Sequence, residues 1–408
     1  MTNKINFQSI KFWWDQFPFE LKLITKIRFF AAVGAGGVIY LTSLTFYNIG
    51  LSGTDIGFGF ALSAVVGTLT RFITGNYLNK RSKIQLPLII SSLLSIVASI
   101  LLIISKDTFL YVIGQTIIGG AAGIYWPTVE YAVPHLSGKV KRIKAYALVR
   151  SSEAFGIFLG VLTGSFLNSI YYFKSIYIND ILCMFIIINL LIKNNYIFKG
   201  SLNKLKTNII DSQEIKVAYW HKYTNLIIAS LILITSCLAL FQVSLPLDFV
   251  NGGLYRKPVN EELTRYIISS QLILLFILQW PLGLWISKKG RLFGLKISLL
   301  SFGFSTLLLF ISNFFETLGV YLMLISIIFG SIGTASFLPA STDIVLKIAP
   351  FNKKGYALAL LSQCFALGYI GPLIAEKIID IQGDASIIWL TFSQICFFLF
   401  ISIFKKKF

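Results

Sequence analysis

Charge is what this chain has least of. Only 13% of its 408 residues are Asp, Glu, Lys or Arg, whereas 56% are apolar, and the mean hydropathy is +0.77. A water-soluble domain of that make-up would expose large apolar patches, so lipid must surround much of the chain. Acidic residues are especially scarce, 17 against 36 basic ones, which leaves a formal charge of +19. Histidine occurs only at His135 and His221. The four cysteines, Cys183, Cys237, Cys364 and Cys396, are dispersed in apolar runs without a C-x-x-C pair. That excludes a disulfide framework and a thiolate metal site, and leaves the cysteines as small core residues. No G-x-x-x-x-G-K-[ST], H-E-x-x-H or G-x-S-x-G is present. ATP-driven transport by this chain alone and an intramembrane enzyme therefore lack support, and no cofactor or metal is expected.

What the chain does have is long apolar runs, each close to the ~20 residues that cross the hydrocarbon core as a helix. They predict spans at 28–48, 56–78, 85–104, 109–132, 145–167, 175–192, 224–247, 264–286, 292–312, 317–342, 355–376 and 386–403. The expected fold is an all-α membrane protein of twelve transmembrane helices, arranged as two six-helix pseudo-symmetric bundles. Residues 1–27 read as a cytoplasmic N-terminal segment, 28–192 as the first bundle, 193–223 as a cytoplasmic linker, 224–403 as the second bundle and 404–408 as a basic tail. The opening segment is polar and aromatic, unlike a cleaved leader, and KFWWDQFPFELKL is expected to lie along the inner surface.

With both termini in the cytoplasm, 28 of the 36 basic residues, Arg28 among them, fall on the cytoplasmic side. Six fall on the far side or at outer helix edges, and Arg71 and Arg150 lie within spans. Acidic residues lean the other way, with Asp180, Asp248, Glu376 and Asp380 among those placed outside. This follows the positive-inside rule in an inner or plasma membrane, so the basicity reports topology and nucleic acid is excluded as a partner.

The chain also repeats itself. GNYLNKRSK (75–83) follows the second span and GLWISKKGR (283–291) the eighth, an offset of 208. AYALVRSSEAF (145–155) and GYALALLSQCF (355–365) open the fifth and eleventh spans at an offset of 210, with five identities in eleven. Gly119 with Gly330 and Pro127 with Pro339 add looser landmarks, so the halves are parallel repeats.

The glycine, small polar and basic pattern of the two loops resembles the signature loop of the major facilitator superfamily. Gly75, Asn79, Lys80 and Arg81 carry it in the first half, and Gly283, Ser287, Lys288, Gly290 and Arg291 in the second. Asn79 and Ser287 stand where the pattern has an acid, and Ser82 where it has its second glycine. The resemblance implies two bundles rocking about a central solute site. It also implies that the second helix faces the eleventh and the fifth the eighth, which would bring Arg71 near Gln363 and Glu153 near Gln279. A first helix lining the cavity is implied as well. The altered loops keep open a non-transporting carrier, assembly factor or sensor on the same fold.

Charges inside hydrocarbon are costly, about 2.5–3.5 kcal/mol at a helix centre on insertion scales, and so mark candidate sites. Arg71 aligns with Gln279 and Glu153 with Gln363, so the first half carries charge where the second carries neutral amides. Arg150 and Glu153 are i,i+3 neighbours able to pair. Arg71 and Glu153 read either as a substrate or proton site or as an ion pair holding helices, and Arg150 as an ion pair. Glu130 and Asp343, near the inner helix ends after the prolines, read as ties to the basic loops at an inner gate. On the first span Gly36, Tyr40, Ser43 and Tyr47 form a polar and aromatic stripe, with Tyr40 and Ser43 as cavity candidates and Tyr47 as an interfacial anchor. Gln115 and Trp126 are further candidates. Gly156, Gly160 and Gly164 read as a close-packing face.

The sequence therefore points to a secondary transporter of a small organic solute, working as a monomer among membrane lipids. Coupling to protons is open, and the aromatic character leans towards efflux.

Overall fold

A computed structural model describes residues 14–81, 83–140, 142–170, 174–195, 220–348, 361 and 363–404. The first six helices are α1 (Phe19–Tyr47), α2 (Gly53–Arg81), α3 (Gln85–Ile104), α4 (Thr108–Leu136), α5 (Arg142–Ile170) and α6 (Ser175–Lys193). The second set is α7 (Trp220–Gln242), the short α8 (Ser244–Asn251), α9 (Glu261–Lys289), α10 (Arg291–Ser312), α11 (Leu318–Ile348), α12 (Ile370–Gln382) and α13 (Ser386–Phe404). Most of the linker and of the second AYALVRSSEAF-like segment, the first thirteen residues and the last four lie outside the described residues.

Local chemistry sets several boundaries. Asp107 caps α4 by accepting the Leu110 N–H at 2.8 Å, and Asn260 caps α9 by accepting the Leu263 N–H at 2.7 Å. Glu261 and Glu262 follow in the first turn of α9, where the helix dipole favours negative charge. Gly290, at φ 99°, ends that helix in a conformation that costs a side-chain-bearing residue strain.

Ten helices among the described residues are long and apolar enough to cross a membrane. The remaining two of the expected spans are α5, which carries Arg142, Lys144, Arg150 and Glu153, and α12, of which 13 residues are defined. α1 begins at Phe19, nine residues before the predicted start of the span. The reason is an apolar stripe, with Leu21, Ile24 and Ile27 fully buried, that continues the helix upstream.

Glycine brings the helices of the first half close. A β-carbon on Gly156 would stand 2.7 Å from the Phe29 carbonyl oxygen, and one on Gly160 would collide with the Val33 carbonyl, so α5 packs backbone to backbone on α1. Gly36 faces the Ile157 backbone in the same contact, so it belongs to helix packing and not to a cavity wall. α2 and α4 use the same device. Gly119 abuts Ser63, Gly123 abuts Gly67, and the Thr70 hydroxyl donates to the Gly120 carbonyl at 3.1 Å.

The halves meet where the resemblance implies, α2 against α12 and α5 against α9. Below, the face at which α1 begins and α13 ends is called the terminal face. Towards the opposite, far face, Val243, Leu247, Ile268 and Leu272 of the second half join Tyr40, Leu44, Phe60 and Tyr111 of the first in one apolar cluster. Tyr47 donates to Asn251 at 2.6 Å, Asn48 to Glu261 at 2.5 Å, and the Thr54 N–H to Asp380 at 2.9 Å. These bonds cross the seam at its far end. Tyr47 is therefore a seam residue and not an interfacial anchor.

The four cysteines are free and buried, as expected of core residues. Asp180, Asp248 and Glu376, assigned to the outer side by sequence, are each 1% exposed. Asp180 accepts Ser95 and Ser99 at 2.8 Å each. Asp248 pairs with Arg256 at 2.9 Å and also accepts the Trp389 indole.

Because Gly160 has no room for a side chain, Gly160→Val should cost about 1–3 kcal/mol and lower the unfolding temperature in detergent. Gly75→Ala, where nothing lies within 4 Å, should stay within about 1 kcal/mol of the parent. Equal melting of the two variants would contradict glycine-mediated packing.

Candidate functional site

The close approach of α5 to α1 at Gly156 has a direct consequence one turn away. It brings Glu153 against Arg28, a residue that charge counting assigned to the cytoplasm. Arg28 is 1% exposed. Its Nη2 and Nε donate to Glu153 Oε2 at 2.7 and 3.1 Å. Its guanidinium carbon sits 3.5 Å from the Trp126 ring centroid and 5.6 Å from that of Tyr125, both on α4. Arginine suits this place because a weakly hydrated planar cation can stack on an indole while its edge binds a carboxylate.

A second arginine completes the cluster. Arg150 donates through Nη1 to Glu153 Oε2 at 3.2 Å and through Nη2 to Glu130 Oε1 at 2.7 Å. The ion pair between Arg150 and Glu153 expected from their i,i+3 spacing is present. Among the described residues Glu130 pairs with Arg150 on α5, and the loop side chains Lys80 and Arg81, to which the sequence tied it, lie outside them. Side-chain exposure rises along the chain of pairs, from 1% at Arg28 and 11% at Glu153 to 33% at Arg150 and 34% at Glu130. The inner pair is dry and the outer one reaches water.

Arg71 completes the group from α2. Its charged neighbours are Glu130 and Arg28, with Tyr369, the N-cap of α12, across the seam. Among the described residues it makes no ion pair, and its buried Nε has no hydrogen-bond partner. Arg28 Nη1 is likewise unpartnered. The cluster thus holds three guanidinium groups against two carboxylates.

The amide neighbours implied by the resemblance do not materialise as bonds. Glu153 is engaged by Arg28 and Arg150 and not by Gln279, and Arg71 has no hydrogen bond to Gln363. The helix pairing is as implied, but stronger donors inside the first half take the carboxylate first. Ser43 is fully buried and Gln115 is 2% exposed, so neither lines a wetted surface in this conformation. Each leaves an oxygen without a partner. Tyr40 lies within hydrogen-bonding reach of Gln242 across the seam, and Gln242 accepts from Tyr369 at 2.5 Å. The Tyr369 ring stacks on Phe60, 6.0 Å between centroids, and Phe155 meets Phe276 at 5.5 Å. The seam between the halves is therefore aromatic and amide-lined, with the arginines in its first-half wall.

Of the signature loops, Gly75 and Gly283 lie on helices with open space around them. Lys289 sits 5.1 Å from the rings of both Trp285 and Phe293. The side chains of Asn79, Lys80, Arg81, Ser287, Arg291 and Asp343 lie outside the described residues. One signal could have revealed Arg28. It extends the buried stripe Leu21, Ile24, Ile27, Ala31, so helical periodicity places it inside.

Removing one partner of a buried pair costs about 3–5 kcal/mol because the other charge is stranded. Arg28→Met should therefore lower thermal stability in detergent strongly. Arg28→Met with Glu153→Gln should cost less than the two single changes added together. Strict additivity in this double-mutant cycle would show that the pair is not energetically coupled.

Known proteins bear on this geometry. The sequence profile of the Major Facilitator Superfamily matches residues 27–256, whereas no curated protein matches the chain. Among solved structures, the nucleoside transporter NupG superposes with a TM-score of 0.75 at 14% identity, over 95% of this chain and 100% of its own. A POT family transporter in complex with 5-aminolevulinic acid gives 0.77 at 12% identity, over 95% and 96%. A peptide transporter POT in complex with sulfate gives 0.75 at 12%, over 95% and 94%. At such identities these likenesses carry the fold alone, and the profile, which spans more than half of the sequence, carries the family: this chain belongs to the Major Facilitator Superfamily.

Proposed function

We propose that the protein is a secondary transporter that moves a small organic anion by alternating access, with Arg71 as the anchor for the negative group. The observation that carries this reading is the surplus guanidinium at the seam. Arg28 and Arg150 are committed to Glu153 and Glu130, whereas Arg71 has no counter-ion among the described residues. A cation in hydrocarbon needs a partner, and a carboxylate or phosphate on a solute supplies one. Tyr369, Phe60 and Tyr40 offer aromatic faces and Gln242 an amide for the uncharged remainder of the solute. That lining supports export of an amphipathic compound as the direction. The positive-inside distribution supports a cytoplasmic terminal face.

Glu153, the carboxylate held by Arg28 and Arg150, is the candidate for proton coupling.

The test is uptake into proteoliposomes across a panel of organic carboxylates, organic phosphates and uncharged analogues, with and without a pH gradient. Arg71→Gln should reduce transport of the anionic solutes about tenfold or more, corresponding to about 1.4 kcal/mol or more, while the protein still folds. Uptake of anions that Arg71→Gln leaves intact would remove the anchor, and transport of uncharged solutes alone would remove the anion. If Glu153→Gln left pH dependence unchanged, Glu153 would have no part in proton coupling.

A further inference from the structure

A second ionisable site lies away from the arginine cluster, at the far end of the seam. Glu376 of α12 is 1% exposed and faces α2 of the other half. A β-carbon on Gly53 would come within 2.5 Å of its Oε2, and one on Gly57 within 3.5 Å of its Cγ. Two glycines on α2 thus make the space into which this carboxyl fits. Glu376 Oε1 is buried without a hydrogen-bond partner, and the neighbouring Ser244 hydroxyl also lacks a regular one.

The charged groups around Glu376 give an ionised carboxylate no counter-ion. Asp380, one turn on along α12, and Asp248 of α8 are both acids. Asp248 is already bound by Arg256 at 2.9 Å. Asp55 of α2 is held by the Ser52 hydroxyl at 2.8 Å and the Thr108 hydroxyl at 3.3 Å. α7 presents the neutral Thr235 and Ser236 beside the start of this helix, and Lys377 points out to the exposed side. Asp380 differs from Glu376 in having donors for a negative charge, the N–H and hydroxyl of Thr54 at the start of α2, at 2.9 and 2.5 Å.

We propose that Glu376 is a proton-binding site and that its protonated form holds the far face closed. Ionisation in place would bury an uncompensated charge beside two other acids, which is far costlier than burying the neutral acid. The ionised form is instead accommodated when α12 parts from α2 and water enters. Proton uptake and far-face closure are therefore one linked equilibrium: closed below the titration midpoint, opening as pH rises through it. This inference rests on the alternating-access reading but not on the identity of the solute.

The experiment places spin labels at Lys106→Cys and Gln382→Cys, exposed far-face positions on the two halves, and measures their distance distribution in lipid nanodiscs from acidic to mildly alkaline pH. The short-distance population should fall at least about twofold as pH rises. Glu376→Gln should keep it high at every pH, and Asp380→Asn should keep a pH response. Ser244→Ala leaves the carboxyl in place but removes a donor to its ionised form, so it should move the midpoint to higher pH. A parent protein without pH response, a Glu376→Gln variant that responds like the parent, or an unmoved midpoint in Ser244→Ala would each overturn the assignment. No solute enters this measurement, so its outcome is separate from that of the Arg71 transport assay.

Discussion

A carboxylate inside a lipid-embedded helix bundle has no water to turn to, and the arrangement around Glu153 is the answer this chain has found. Two arginines on two helices share one oxygen, and an indole covers the deeper of them. None of this is possible unless α1 and α5 approach closely, which the glycines at 156, 160 and 164 allow. The glycine face and the ion pair form one device: small residues set the distance, and the distance lets opposite charges neutralise each other away from solvent. Tyr125 and Trp126 come from α4, which the second glycine contact presses against α2. Arg71 is positioned by that same contact. The charged wall of the seam is thus a product of how tightly the first half is packed.

The halves are related by duplication but not by chemistry. The first concentrates its ionised groups on the seam near the terminal face. The second keeps its buried Asp248–Arg256 pair near the far face, where it ties α8 to the loop before α9 and to Trp389 of α13. The seam accordingly has an electropositive wall and a neutral one. A solute that bridges them would meet charge on one side and amides and rings on the other.

Much of the helical architecture was legible from hydrophobic run length and the internal repeat. The pairing of α2 with α12 and of α5 with α9 followed from the resemblance. The partners of the charged residues were less legible. Arg28 stands at the boundary of an apolar run, where counting assigns it to water, and only the phase of the helix shows that it points inward. Glu376, Asp180 and Asp248, which the sequence put on the far side of the membrane, are likewise covered by neighbours rather than by water. Position along a helix gives depth, but whether a side chain meets water depends on which neighbour covers it, and that is a three-dimensional fact. The repeat aligns glutamines with Arg71 and Glu153, yet alignment says nothing about competition from a nearer guanidinium.

The single apolar cluster that both halves share near the far face has a thermal consequence. Parting the halves there would hydrate Leu44, Phe60, Val243, Leu247, Ile268 and Leu272 together, and hydrating such surface carries a positive heat-capacity change. The balance between the two access states should then bend with temperature, the sealed form losing ground in the cold as the drive to hide oily surface fades.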